Sequence, residues 1–331
     1  MSASTAPSAR AVRAGVIGMG FMGRTHAAAY AAHAAARPDH CVLAAVSDPN
    51  PDRMRAQASS GGNIATSDAI HRLDEPDLAR HTDAHTLLAD PSIDLVSICT
   101  PTDTHIDLAI EAVRRGKHVL VEKPVALHAA DIRRLSDAAV AADRLVMPAM
   151  CMRFWPGWTH LKDAVGDGRY GQLRAISFTR LGARPAWSAD FYANPARTGG
   201  AMTDLHIHDA DFIVHLLGRP RGVISTGSVD HLTTQYLFPK AGGQVVAEGG
   251  WLPAAGMPFR MRFTASFDRA TLDFDLGRDH PLMLAASGEW TPVKIPSGTG
   301  YQSQIEHMVG AVREHREGRP CRLTATLADA A

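Results

Sequence analysis

Acidic and imidazole side chains crowd the stretch MTDLHIHDADF, residues 202–212, of a 331-residue chain that is 45% hydrophobic. If residues 203–217 form a helix, positions three and four apart share one face, and His206 projects to another side. The stripe predicted by this spacing contains Asp204, His208, Asp211 and His215. It is typical of a metal site, a proton-handling site or a buried helix surface. Tetrahedral zinc needs further ligands that no zinc-type spacing supplies, so we favour a proton-handling pair of Asp204 and His208.

A second candidate is the glycine-rich turn GMGFMG, which follows an apolar run and precedes an alanine-rich stretch. Gly18 permits a tight turn, Gly20 lets a pyrophosphate approach the backbone, and Gly23 lets the helix pack on the strand. The N-terminus of that helix offers free N–H groups and the positive end of its dipole. The spacing predicts NAD(P) binding by the whole turn. Its members are Gly18, Met19, Gly20, Phe21, Met22 and Gly23.

Asp48 ends the next apolar run, residues 41–48. A carboxylate at this point binds the adenosine ribose hydroxyls and repels a 2′-phosphate, which favours NAD over NADP. Arg53 and Arg55 follow closely and carry the charge needed to neutralise that phosphate. NADP is therefore the alternative cofactor.

Apolar runs alternate with helical stretches through the first half of the chain. The strands are predicted at residues 12–17, 41–48, 93–101, 118–124 and 145–154. Strands that are apolar on both faces, separated by amphipathic helices such as 106–116 and 129–144, indicate a doubly wound parallel sheet. Residues 58–88 are longer and more polar than a plain crossover, so we predict a surface insertion there.

After about residue 155 the pattern changes to partial period-two alternation with Gly and Pro between the runs, which indicates a mostly antiparallel open sheet. A chain of this length is also long for a single core. We therefore predict an α/β protein with a disordered tail (1–11), a Rossmann dinucleotide-binding domain (12–150) and an α+β domain for substrate binding and oligomerisation (151–331).

Charge and cysteine content limit the partners and the location. The chain has 34 basic and 34 acidic residues, so it lacks the cationic excess that drives binding to nucleic acid or anionic membranes. The four cysteines are far apart, and no signal-like or membrane-spanning apolar segment is evident. We predict a cytoplasmic protein with no nucleic-acid or membrane partner and no bound metal.

Three further stretches carry a family resemblance: CTPTDTHIDLA (99–109), KHVLVEKP (117–124) and GGAMTDLHIHDADFIVHLLG (199–218). Together with the glycine-rich turn, they resemble the Gfo/Idh/MocA oxidoreductases, the family of glucose-fructose oxidoreductase and inositol 2-dehydrogenase. The resemblance extends from about residue 12 to 320. It implies a Rossmann domain, a second domain on an open antiparallel sheet, and NAD(P)-dependent chemistry on a hydroxyl group of a sugar, polyol or related cyclic compound. It also implies a homodimer or homotetramer.

Several residues take family roles by this resemblance. The lysine of the EKP motif falls on Lys123, and the DxxxH motif falls on Asp204 and His208. Arg153 matches a position near the nicotinamide and the substrate. The loop that lines the cofactor contributes Thr100, Pro101 and His105. Two departures are the long 58–88 segment and the ending at LTATLADAA, where relatives continue further, which indicates a short variant or a truncated chain.

Hydride leaves a carbinol carbon only as the hydroxyl proton departs, so a base must lie within hydrogen-bonding reach. We predict that His208 exchanges the proton, Lys123 polarises the oxygen and Asp204 orients both, with the roles of Lys123 and His208 reversed as the alternative. Glu122 is predicted to position Lys123 or the cofactor. Pro124 is a candidate for a cis bond.

Two aromatic residues before the DxxxH motif, Trp187 and Tyr192, are predicted to stack on a sugar ring, with a core role as the alternative. Two other functions remain open for the same fold. One uses tightly held NAD for a redox-neutral epimerisation or elimination, and the other is a nicotinamide-binding protein without catalysis.

Overall fold

The computed structural model describes residues 10–57, 70–186, 188–239, 243–254 and 256–331. Within these ranges the chain forms two sheets, one of six strands and one of eight. No helix in the same ranges is both long enough and apolar enough to cross a lipid bilayer.

The first sheet is parallel throughout. Its strands are β1 (Val12–Ile17), β2 (Cys41–Ser47), β3 (Ala79–His81), β4 (Leu95–Ile98), β5 (His118–Val121) and β6 (Val146–Pro148). Their order, β3-β2-β1-β4-β5-β6, reverses between β1 and β4, where doubly wound sheets bind ligands. Every residue of β4 and β5 is buried because helices cover both faces. The predicted Rossmann sheet is confirmed.

The helices of this half are α1 (Phe21–Ala36), α2 (Ala84–Ala89), α3 (His105–Arg114) and α4 (Ala129–Ala142). One face of the sheet packs on α1, where Tyr30 is fully buried and shares a hydrogen bond with Ser97. The other face packs on α2, α3 and α4 through aliphatic side chains such as Leu87 and Val113. Two separate apolar layers therefore hold the sheet between helices.

Several predicted boundaries differ from the structure. The predicted strands 93–101, 118–124 and 145–154 end earlier, at Ile98, Val121 and Pro148, because the chain turns into loops at the carboxyl edge of the sheet. Residues 151–154 form a 3-10 helix instead of a strand.

The predicted insertion and tail lie partly outside the described residues. Within the insertion, 58–88, residues 70–88 contain β3 and the start of α2, so this part belongs to the domain rather than to an added surface segment. In the predicted tail, 1–11, the described part begins at Arg10, which donates two hydrogen bonds to Asp94.

The second sheet has the order β14-β13-β12-β11-β7-β10-β9-β8. Its strands are β7 (Leu173–Ala183), β8 (Gly222–Ser228), β9 (His231–Leu237), β10 (Gln244–Leu252), β11 (Arg260–Phe267), β12 (Ala270–Asp275), β13 (Leu282–Ala286) and β14 (Glu289–Pro292). Only the β7–β10 pair is parallel among the described strand pairs of this sheet. The predicted, mostly antiparallel second sheet is therefore also confirmed.

Helices cover one face of this sheet. The helices of the second half are α5 (Pro156–Asp167), α6 (Ala189–Tyr192), α7 (Pro195–Thr198), α8 (Ile207–Leu217), α9 (Gly300–Arg316) and α10 (Leu327–Ala330). Trp158 of α5 and Phe212 of α8 pack edge-to-face with aromatic residues of the strands, including Phe178 and Phe263. This aromatic layer fixes α8, which carries His208 of the DxxxH motif, relative to β7.

The predicted boundary at residue 151 separates the two sheets, but α9 crosses back over it. Ile305, Met308 and Val309 of α9 join the buried cluster that contains Tyr30 of α1. The C-terminal helix therefore belongs by packing to the first core. It ties the two halves of the chain together on either side of the crevice between them.

Candidate active site

The glycine-rich turn joins β1 to α1 at the carboxyl edge of the first sheet. Gly18 has φ of +87°, and a Cβ there would lie 2.8 Å from the carbonyl oxygen of Cys99. A Cβ on Gly23 would lie 1.7 Å from the carbonyl oxygen of Gly18, so only glycine allows α1 to pack this closely. A Cβ on Gly20 would meet nothing within 4 Å. The space above the turn is open.

The N-terminus of α1 lies under this open space. Gly20 is its N-cap, and no side chain caps the helix. The positive end of the helix dipole at this N-terminus favours an anionic ligand. Phe21 and Met22, the first two residues of α1, also line the crevice between the two halves. These features fit the dinucleotide cofactor predicted from the sequence.

Asp48 lies beside this turn and is almost fully buried. Its carboxylate accepts hydrogen bonds from the backbone N–H of Met19 at 2.8 Å and of Asn50 at 2.9 Å. A carboxylate has about four acceptor positions, so two remain for ribose hydroxyls. Arg53 Nη1 lies 3.7 Å from Asp48 Oδ2, whereas Arg55 pairs with Asp52. Of the two arginines considered for a 2′-phosphate, only Arg53 lies next to Asp48.

The loop after β4 contains the three other residues predicted to line the cofactor. His105 is buried, and its ring nitrogens lie 2.8 Å from the carbonyl oxygen of Thr100 and 3.0 Å from that of Pro124. The ring therefore joins this loop to the turn after β5, where the Lys123–Pro124 peptide bond is cis. Thr100 is partly buried, and Pro101 is exposed at the loop surface. The geometry gives His105 a bracing role behind the cofactor site.

Lys123 bridges the two halves of the chain. Its Nζ donates to the Asp204 carboxylate at 2.9 Å and to the Asp204 carbonyl oxygen at 2.7 Å. Lys123 follows β5 of the first sheet, whereas Asp204 precedes α8. His208 lies one turn after Asp204 and lines the same crevice. The structure thus brings together the three residues predicted to be catalytic.

The segment that carries Asp204 is not the uniform α-helix predicted over 203–217. Residues Met202–His206 form a π-helical turn, and the α-helix begins at Ile207. The wider turn changes the angular spacing before His208, so the predicted stripe does not keep a single direction. Asp204 and His208 still face the crevice. His206 points to the second sheet, where its Nε2 lies 3.0 Å from Thr234 Oγ1.

The protonation states of Lys123 and His208 differ. Burial alone would lower the pKa of Lys123, but the carboxylates of Asp204 and Glu122 outweigh it and raise that pKa above its ordinary value. Burial, together with the charges of Lys123 and Arg180, lowers the pKa of His208 well below its ordinary value. At neutral pH the lysine is therefore a cation and the histidine is neutral.

Glu122 lies beneath Lys123 in a buried polar network. Its Oε2 accepts from the Lys123 backbone N–H at 3.1 Å, and its Oε1 lies 3.1 Å from His26 Nε2. Burial opposes ionisation of Glu122, but His26 and Lys123 lower its pKa. Gln304 of α9 lies 3.3 Å from the same His26 nitrogen. Glu122 is thereby fixed as an anion behind Lys123, and its role in positioning Lys123 or the cofactor stays a prediction.

A cavity in the crevice contains these groups. Side chains with a charged group, an imidazole, a thiol or a phenol on its wall are Glu122, Lys123, Cys151, Arg180, Tyr192, Asp204, His208 and Tyr301. The other side chains on its wall are Phe21, Met22, Met152, Trp155, Leu205, Phe259 and Met261. Tyr192, predicted to stack on a sugar ring, lies on this wall. Trp187 lies outside the described residues.

Arg153 is not placed beside a substrate as the resemblance implied. Its guanidinium is buried, with Nη2 2.6 Å from Asp211 Oδ1, and it also bonds Asp329 and the carbonyl oxygen of Thr324. Arg153 is absent from the cavity wall. Its donors join α8 to the segment near α10, so the residue holds the domain together. Asp211 and His215, the other members of the predicted stripe, are likewise off the cavity wall.

In the described ranges, no three His, Cys, Asp or Glu side chains are grouped so that they could share a metal ion. The two acidic residues of the stripe are instead divided between separate cations. Asp204 pairs with Lys123, and Asp211 pairs with Arg153.

Arg180 is the main site residue that the sequence did not single out. It lies on the inward face of β7 with Ile176 and Phe178, and it is 3% exposed. Its Nε and Nη2 bond the buried carboxylate of Asp209 at 3.0 and 2.8 Å. The available signal was a charged residue at an inward position of a period-two strand. Cys151, whose pKa burial raises to about 12, was also missed.

Comparisons with known proteins agree with this geometry. The sequence matches the family described as "Oxidoreductase family, NAD-binding Rossmann fold" over residues 12–150 and the "GFO/IDH/MocA C-terminal domain" over residues 158–251. It is 30% identical over 219 residues to a myo-inositol 2-dehydrogenase of Thermotoga maritima. With an inositol 2-dehydrogenase of Rhizobium meliloti it shares 34% identity over 224 residues. Each alignment covers 66% of this chain and 59% of the relative, so the chain spans under two thirds of the length of these curated relatives.

The fold is also that of a levoglucosan dehydrogenase solved in complex with NADH. The TM-score is 0.77 at 22% identity, with 97% of this chain and 93% of that chain covered. The two family domains, the order of the strands in the first sheet and the Lys123–Asp204–His208 group lead to one conclusion. The chain belongs to the Gfo/Idh/MocA oxidoreductase family and carries an NAD-binding Rossmann domain.

Proposed function

We propose that this protein is an NAD-dependent dehydrogenase or reductase that acts on a hydroxyl-bearing carbon of a sugar, polyol or related cyclic compound. The observation that carries the proposal is the meeting of a cationic lysine and a neutral histidine in one cavity, next to the N-terminus of α1. Inositol 2-dehydrogenases among the relatives support the substrate class.

The residues of the cavity have different roles in the oxidation. Lys123 Nζ has three donors, and Asp204 accepts two of them, so one remains for the substrate oxygen. The buried Nδ1 of the His208 ring has no hydrogen-bond partner among the described residues, and the neutral ring is able to accept the hydroxyl proton. Asp204 keeps Lys123 charged and holds it in place. The nicotinamide cofactor, when bound, takes up or returns the hydride.

This assignment favours one of the two role distributions left open by the sequence. A base must be unprotonated before it accepts a proton, and the raised pKa of Lys123 keeps that residue protonated. The lowered pKa of His208 keeps the imidazole neutral down to pH values below its ordinary range. We therefore assign proton exchange to His208 and polarisation of the oxygen to Lys123.

We propose NAD as the preferred cofactor. Asp48 places a buried carboxylate at the end of β2, where it repels a 2′-phosphate. Arg53 is half-exposed beside it and offers partial compensation, so we expect a lower but measurable rate with NADP. Parallel assays with both cofactors test this preference through the ratio of the two kcat/KM values.

The function is tested by following NADH absorbance with myo-inositol and levoglucosan. We expect Lys123→Met and His208→Asn each to lower kcat/KM by about 100-fold or more, because each removes a group needed in the transition state. His215→Asn, on the same helix but off the cavity wall, is the matched control and should keep its rate. NADH binding should survive in all three variants.

Three results contradict the assignment. The first is near-normal turnover in both Lys123→Met and His208→Asn. The second is conversion of a substrate with no net change in nicotinamide absorbance while the cofactor stays bound, which indicates the redox-neutral alternative. The third is binding of NADH without any turnover across a broad polyol panel, which indicates the non-catalytic alternative.

We also propose that the protein forms a homodimer or homotetramer through the second sheet. Val223 and Ile224 of β8 are each 55% exposed, and Leu237 of β9 adds further apolar surface at this edge. An exposed strand edge with apolar side chains favours association. Light scattering that gives the mass of one chain would reject the proposal.

A further inference from the structure

The cavity has a second cation besides Lys123. Lys123 belongs to the first domain, whereas Arg180 lines the cavity from the inward face of β7 in the second domain. A guanidinium carries five N–H donors in a planar fork. Asp209 accepts from Nε and Nη2, and no described residue accepts from Nη1. Arg180 thus reaches the cavity with unused donors.

The guanidinium is held in a fixed plane. The two hydrogen bonds to Asp209 are a bidentate pair, and Asp209 is itself 1% exposed. The guanidinium carbon also lies 5.9 Å from the centre of the Trp158 ring, within the range of a cation–π contact. Asp209 directly follows His208 in the chain. The position of Arg180 is therefore coupled to the backbone that carries the base.

Every cation on the cavity wall already has a carboxylate partner. Lys123 pairs with Asp204, and Arg180 pairs with Asp209. The cavity therefore offers hydrogen-bond donors without an unpaired positive charge for a substrate carboxylate to neutralise. Aromatic walls such as Trp155 and Tyr192 suit the C–H faces of a ring. These features favour a neutral, hydroxyl-rich ligand.

We propose that Arg180 binds a second substrate oxygen while Lys123 binds the reacting one, so that the site takes a neutral ring with at least two hydroxyl groups and discriminates against a simple alcohol. The inference rests on the proposed function and narrows its substrate class. Asp209 is a positioning residue that aims the guanidinium. Removing the Arg180 guanidinium should weaken the binding only of ligands that hydrogen-bond to it.

The inference is tested by comparing polyols with an alcohol that has one hydroxyl group. The polyol probes are myo-inositol and levoglucosan, and the single-hydroxyl probe is cyclohexanol. Arg180→Met alone leaves Asp209 buried without its partner and risks misfolding, so the main variant is Arg180→Met/Asp209→Asn, which removes both charges together. Arg174→Met, an exposed arginine on the same strand, is the matched control.

Calorimetric titration of the NADH complex measures binding without turnover. We expect the wild-type protein to bind at least one polyol more tightly than cyclohexanol, and the double variant to lose about 10- to 100-fold of that affinity, as for a hydrogen bond to a charged group. Cyclohexanol binding should change by less than about threefold. The control should match the wild type with every probe.

Other outcomes overturn the inference. The first is a double variant that keeps its polyol affinity. A second is an equal loss for polyols and cyclohexanol, which indicates general damage. The third is a wild-type protein without preference for a polyol. If the wild-type protein binds a polyol through Arg180 yet shows no turnover, the proposed function fails while this inference stands.

Discussion

Gly20 provides a direct test of where the cofactor lies, because its surroundings differ from those of its neighbours in the turn. A Cβ at Gly20 meets no protein atom within 4 Å, and its φ of −71° suits any L residue. A Cβ at Gly23 would lie 1.7 Å from a carbonyl oxygen. Gly20→Ala should therefore fold normally, whereas Gly23→Ala should disrupt the turn.

We expect Gly20→Ala to weaken cofactor binding. A ligand at 100 times its Kd stabilises the native protein by about 2.7 kcal/mol. If the added methyl group displaces the pyrophosphate and weakens NADH binding tenfold, the same NADH concentration stabilises the native protein by about 1.4 kcal/mol. If binding is weakened a hundredfold, the stabilisation falls to about 0.4 kcal/mol. Without cofactor, the stability should change by no more than about 1 kcal/mol, the usual range for glycine to alanine at an N-cap.

The assay is thermal unfolding with and without NADH, supported by calorimetric titration. Gly310→Ala is the control, since a Cβ there also meets nothing within 4 Å and the residue lies far along the chain in α9. The control should keep the full NADH-induced shift and gain up to about 1 kcal/mol from helix propensity. A Gly20→Ala protein with an unchanged NADH shift would refute the placement of the pyrophosphate over this turn.

Three further outcomes follow from charges elsewhere in the molecule. Burial lowers the pKa of His118 to about 3, so the neutral ring contributes fully to the free energy of unfolding above pH 6.5. This contribution decreases as pH falls, and from pH 6.5 to 5 we expect the free energy of unfolding to fall by about 2 kcal/mol. His118→Gln should flatten this part of the stability curve, measured by denaturant titration. Arg53→Gln should lower kcat/KM with NADP more than with NAD, and equal effects would contradict its assigned position. Arg197 Nε lies 2.8 Å from Asp103 Oδ2 across the crevice, and both side chains are partly exposed, so this ion pair is weak. Arg197→Gln should therefore change KM by no more than about fivefold, and it should remove part of the dependence of KM on salt concentration.

The first sheet was predictable because local features of the sequence mark its strands. Its strands are buried on both faces, so they stand out as short apolar runs such as VRAGVI. The glycine-rich turn has one physical explanation for each glycine, which made its position predictable. The strand ends were less predictable because apolar residues such as those of 145–154 continue into the loops that line the crevice. Periodicity does not distinguish a buried strand from a buried loop.

The parts of the site that escaped prediction depend on contacts distant in the sequence. Arg153 was placed near the substrate, but its partner Asp329 lies 176 positions away and no local pattern reveals the pair. Arg180 pairs with Asp209, which the DxxxH motif does not include. The π-helical turn at Met202–His206 likewise has no local sequence signature that periodicity detects.

The two cation–carboxylate pairs of the cavity also determine when His208 is able to act as a base. Lys123 enters from the first domain and Arg180 from the second, and both lower the pKa of His208 in addition to burial. The imidazole is therefore kept neutral by the packing of one domain against the other. If the crevice opened, water would enter, the charge of Lys123 would be screened, and the pKa of His208 would rise toward its ordinary value. The packing of the two domains thus holds the donor for the oxygen and the neutral base together, so the acid limit of catalysis should depend on the contacts between the domains.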